Sequence, residues 1–122
     1  MTLAPVLTKR ISPWCISYTL SQIERIPHNA SAWNYLRALY KQSKTPLSSI
    51  LHVVSTYTQS TPPVPFALEW MADSALESKT KEGDEEAMKM MQELGDRWDP
   101  MRRSYWRYRR GEVQRRAAAA TS

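Results

Sequence analysis

Pro27-His28-Asn29-Ala30-Ser31-Ala32-Trp33-Asn34-Tyr35-Leu36-Arg37 is the most information-dense stretch of the chain, and a weaker copy of it returns near the C-terminus. Pro27, Ser31, Trp33, Tyr35 and Arg37 recur as Pro100, Ser104, Trp106, Tyr108 and Arg110, all at one offset of 73 residues. A five-point match that includes a tryptophan and a proline is not a chance pattern. An offset of 73 fits two periods of roughly 36, in the range of stacked helical hairpins.

The surrounding sequence reads as helix–turn–helix units. Ile16, Leu20, Ile23 and Ile26 fall at helical spacing, and Pro27 ends that helix by pushing the residue before it out of the α region. Asn29 or Ser31 can cap the next helix, accepting from a free backbone N–H. Its buried stripe is Ala32, Trp33, Leu36, Leu39 and Tyr40, and it runs to about Gln42. Residues 15–42 are thus one hairpin.

Leu47, Ile50, Leu51, Val54 and Tyr57 continue the helical period, although Val53, Val54, Thr56 and Thr58 also suit a strand. A Pro-rich turn, 59–65, leads into a helix carrying Phe66, Ala67, Trp70, Met71, Ser74 and Ala75. That pair is the second hairpin, inferred from spacing because its second helix lacks the Trp-x-Tyr-x-Arg pattern. Thr80–Glu86, charged and containing Gly83, reads as a loop. Ala87, Met91, Leu94 and Trp98 form the next helix, broken by Asp99-Pro100. In the last helix Met101, Tyr105, Tyr108 and Val113 are expected to line the core, with Trp106 flanking. The expected fold is all-α, an α-solenoid segment of about three stacked helical hairpins over 15–116. An irregular segment, 1–14, precedes it and a flexible tail, 117–122, follows.

Composition limits the function classes. The chain has 122 residues, one cysteine and two histidines. Cys15 cannot form an internal disulfide, and His28 and His52 lack partners at zinc-ligand spacing. No Gly-rich phosphate loop and no nucleophile with an orienting base can be identified, so no catalytic residue and no metal ligand is assigned. No apolar run is long enough to cross a membrane, and no signal peptide is read at the start, so a reducing, cytoplasmic setting is expected. The net charge of +5 is uneven: residues 97–116 hold eight arginines against Asp99 and Glu112, whereas residues 1–96 are nearly neutral. That arginine run around Tyr105, Trp106 and Tyr108 could meet RNA or act as a calmodulin-type target, but a solvated helix face beside packed aromatics is the simpler reading, and no nucleic-acid partner is expected. Met88, Met90, Met91 and Met101 read as gap-filling core residues.

Asn29-x-x-Ala32-Trp33-x-x-x-Arg37 resembles the repeat of protein prenyltransferase alpha subunits. The wider run Tyr18-Thr19-Leu20 and Ile26 to Arg37 is similar to the last well-formed repeat of the alpha subunit shared by protein farnesyltransferase and geranylgeranyltransferase type I. Arg103-Ser104-Tyr105-Trp106-Arg107-Tyr108 is similar to that subunit's final helix. The resemblance covers about residues 16–114; residues 1–14 depart from the pattern, which calls for an unbroken lead-in from a preceding repeat.

The resemblance implies a right-handed superhelical crescent that wraps a beta subunit. The beta subunit holds zinc and most of the pockets for the isoprenoid diphosphate and the CaaX protein, with magnesium expected only in the holoenzyme. Alpha-subunit side chains near the diphosphate come from earlier repeats, so none is carried over and the chain by itself is expected to be inactive. His28, Asn29, Asn34 and Arg37 are the expected contacts to beta. Asn29, Ala32, Trp33, Arg37, Trp106 and Arg110 are the expected structural positions of the repeat. A free-standing helical adaptor that binds peptides in its concave face is the alternative.

Overall fold

The computed structural model describes residues 13–121, and among them every regular element is helical. The described residues form six α-helices: α1 Pro13–Arg25, α2 Ala30–Ser43, α3 Leu51–Thr58, α4 Pro65–Glu77, α5 Lys81–Glu93 and α6 Arg103–Thr121. A 3₁₀ turn, Leu47–Ile50, leads into α3. A wide π-type turn, Leu94–Trp98, and a 3₁₀ turn, Pro100–Arg102, separate α5 from α6.

Local chemistry sets these boundaries. The Asn29 side chain accepts from Ala32 N and caps α2. Lys44 closes the same helix in the left-handed region, and Thr45 N–H donates to the Tyr40 carbonyl at 3.0 Å. Pro65 stands in the first turn of α4, where its missing N–H costs nothing. The Leu47–Tyr57 segment is helical; its apolar residues turn inward at helical spacing, which outweighs the strand preference of its β-branched residues.

Four expectations are corrected. Thr80–Glu86 is no loop: the Thr80 hydroxyl accepts from Gly83 N at 3.0 Å, and α5 begins at Lys81. In α6 Trp106 is buried, at 1% exposure, and Val113 is buried as expected, while Tyr105 and Tyr108 face solvent and Met101, in the turn before α6, is 94% exposed. Residues 117–121 continue α6, since alanine is the best helix former and nothing after Arg116 stops the helix. The irregular start lies outside the described residues as far as Ser12, but Pro13 and Trp14 already belong to α1.

Neighbouring helices pack in chain order: α1 on α2, the 3₁₀ turn and α3 on α4, and α5 on α6. The most extensive contact joins α4 to α5. The apolar core forms two clusters that meet on α4. One contains Ile23, Trp33, Leu36, Tyr40, Ile50, Val54 and Trp70. The other contains Ala72, Ala87, Met91, Leu94, Trp106 and Val113. α4 therefore carries Trp70 into the first cluster and Ala72 into the second. No described helix is long and apolar enough to cross a membrane.

Candidate functional site

The site grows from two tryptophans in matching local settings. Trp33 is 3% exposed, and its indole N–H donates back across the preceding turn to the Pro27 carbonyl at 2.8 Å. The Trp106 N–H reaches back in the same way, donating to the Asp99 carboxylate beside Pro100 at 3.0 Å. In both cases a buried indole satisfies its one donor by pinning the turn that opens its helix. Trp70, on α4, donates to the Leu47 carbonyl at 3.0 Å and packs against Trp33 and Tyr40.

With the indoles facing inward, the next turn of each helix carries charge. Arg37 on α2 donates to the Asp73 carboxylate on α4, and its guanidinium stands 5.8 Å from the Trp70 ring centre. Arg109 on α6 holds the other Asp73 oxygen at 2.7 Å. Glu69, one turn before Asp73, stands 4.0 Å from Arg37, 3.6 Å from Arg109 and 3.5 Å from Arg102. Arg102 also donates to Asp99 at 2.7 Å. The two carboxylates of α4 thus bind arginines from both α2 and α6.

The electrostatics follow from this crowding. Burial disfavours the Arg109 cation, but the charge of Asp73 and the hydrogen bond to it outweigh burial, and the net shift is upward. Arg102 behaves alike: burial is opposed by the hydrogen bond and charge of Asp99 and by Glu69, and the net shift is again upward.

These residues form the floor of an open groove of about 730 Å³, which also takes in Asn34, Lys41, Phe66, Glu77 and Tyr105. At one end Glu77 accepts the Leu47 N–H at 2.8 Å and so ties the start of the 3₁₀ turn to α4. The groove offers a mixed-charge, hydrogen-bonding trough with aromatic edges. Among the described residues, no three His, Cys, Asp or Glu side chains converge as metal ligands.

The sequence-expected positions divide. Asn34 and Arg37 line the groove; His28 is exposed in the turn before α2, and Asn29 is engaged as that helix's cap. Ala32 and Trp33 are buried in the first cluster and Trp106 in the second. Arg110 stands at the repeat offset from Arg37 but is not its counterpart in the charge network. Arg109 is, because a side chain reaching back to α4 must leave α6 at a different angle from one reaching forward from α2. Glu69 and Asp73 were not singled out from sequence, and Arg102 and Arg109 stood out only as members of the arginine run. The signal was present: Arg37, Asp73 and Arg109 are each 36 residues apart, close to half the repeat offset, with the middle charge reversed. No protein family model matches the chain.

Proposed function

We propose that the chain is part of the alpha subunit of a heterodimeric protein prenyltransferase, corresponding to its last repeats, and that it scaffolds a catalytic beta subunit in the cytoplasm. In this reading the helices are an α-solenoid segment of three stacked hairpins. The beta subunit supplies zinc, isoprenoid and CaaX-protein binding, and this chain contributes shape and surface. One observation carries the reading: Trp33 and Trp106, the two tryptophans of the motif, are both buried and each indole N–H reaches back to the turn before its helix, to the Pro27 carbonyl in one case and the Asp99 carboxylate in the other. The groove then offers Asn34 and Arg37 to a partner. Co-expression with a farnesyltransferase beta subunit tests it: the tagged chain should retain beta, and Asn34→Ala with Arg37→Ala should weaken retention. If the chain fails to retain beta while a full-length alpha subunit succeeds under the same conditions, the scaffold reading is wrong.

A second reading, a free-standing helical adaptor, is favoured by the groove itself. It is an open groove of about 730 Å³ lined with donors, acceptors and the Phe66 and Tyr105 rings. It predicts peptide binding with no beta subunit present. The nucleic-acid reading has less support: Arg102, Arg109 and Arg116 are engaged with carboxylates, and Trp106 is buried.

A further inference from the structure

The arginines of α6 and of the turn that leads into it fall into two rows that differ in what they touch. Arg102, Arg109 and Arg116, each seven residues from the next, all meet carboxylates on packed helices or the preceding turn: Glu69, Asp73, Asp84 and Asp99. The second row is Arg103, Arg107 and Arg110, at spacings of four and three, with Arg115 beyond. Arg107, Arg110 and Arg115 contact no carboxylate, and Arg103 donates only to the Gly95 carbonyl, at 3.2 Å. Arg110 Nε is buried with no acceptor. Two arginine rows thus run along α6 and the turn before it, one satisfied by the chain's own fold and the other lacking anions.

We infer that this second face of α6 is a docking surface for an acidic helix of a protein partner, with carboxylates repeating every three to four residues. The first row is the template, because what its arginines take are carboxylates presented by neighbouring helices. Arg103 to Arg110 spans about 10 Å of helix, the distance between carboxylates seven residues apart on a facing helix. Exposed Ser104 and half-buried Gly111, where an added Cβ would meet only the Arg115 guanidinium 3.3 Å away, leave room for a second backbone. Exposed Tyr108 adds apolar contact. Nucleic acid is the weaker match, because on this helix Tyr108 alone leaves a ring open to a base: Trp106 is buried, and Arg102 and Arg109 sit over Trp106 and Tyr105. The inference is independent of the prenyltransferase reading and uses a different face from the groove.

The test uses the full chain and fluorescence anisotropy at about 50 mM salt, where surface charge is weakly screened. One labelled synthetic helical peptide carries glutamates along a single face; a second has the same composition with its glutamates scattered; a third probe is a single-stranded oligouridine. The single-face peptide should bind at least about tenfold more tightly than the scattered one. Arg107→Glu with Arg115→Glu should lose that preference and bind a single-face lysine peptide instead. Arg107→Gln with Arg115→Gln, which adds no repulsion, should lose binding without gaining the lysine peptide. Circular dichroism should show unchanged helicity in both variants. Equal binding of the two glutamate peptides, no peptide binding, or tighter binding of oligouridine than of the peptide would each overturn the inference.

Discussion

Arg37 on α2 and Arg109 on α6, 72 residues apart in sequence, hold the two oxygens of a single carboxylate, Asp73. Apolar packing does not make this link, since the core is split into two clusters that share only α4. The carboxylates of Asp73 and Glu69 therefore tie α2 to α6 across the groove floor. Charge-assisted bonds of this kind are strong only while every partner is present; removing one leaves the others partly buried without a counter-ion.

Asp73→Asn should accordingly cost about 2–4 kcal/mol, read as a lower urea midpoint at constant slope. Arg37→Met and Arg109→Met should each cost less. A double-mutant cycle of Arg37→Met with Asp73→Asn should return a coupling of about 1 kcal/mol or more. A cycle energy near zero would mean that water replaces the contact without loss.

The split core predicts a split response to mutation. Trp106→Ala should cost about 3–5 kcal/mol and raise amide exchange in α5 and α6 while α1 to α3 keep their protection. Trp33→Ala should do the reverse. Uniform loss of protection in either variant would show that the two clusters melt as one.

Local signals made most helix boundaries legible. Pro27, Asn29 and the Pro-rich turn before α4 act within a few residues, so sequence reports them directly. The stripe of α6 was not legible in this way. Its arginines and aromatics mix around the whole helix, and periodicity favours Tyr105 and Tyr108 as much as Trp106. What decides is the Trp106 bond to Asp99, the same reach that Trp33 makes to Pro27. The groove was half legible: Arg37 was singled out from the repeat, but its partners carry opposite charge and a search for recurring identity passes over them.

Tyr57 gives the fold an alkaline limit. Burial raises its pKa above the ordinary 10.0, and the Glu24 carboxylate raises it further. A folded pKa above the unfolded value means that this stabilisation is complete below about pH 10 and is lost as pH rises from there towards the folded value. Tyr57→Phe cannot ionise, so its stability should fall less than that of the wild type between about pH 9 and 11, and Glu24→Gln should fall between the two. Equal alkaline loss in all three proteins, measured by urea unfolding, would refute the assignment.

Gly83 predicts a reversal of an ordinary rule. Gly→Ala inside a helix normally gains about 0.5–1 kcal/mol. Here Gly83 is buried in the first turn of α5, and an added Cβ would overlap both the Ser78 hydroxyl and the Ala75 carbonyl at the end of α4. The α4–α5 junction, the most extensive helix contact among the described residues, closes only because that position has no side chain. Gly83→Ala should therefore destabilise by about 1–3 kcal/mol despite alanine's better propensity. Adding Ser78→Ala removes the hydroxyl but leaves the carbonyl, so it should restore only part of the loss. A stabilised Gly83→Ala protein in thermal or urea unfolding would mean that α5 starts farther from α4 than these contacts require.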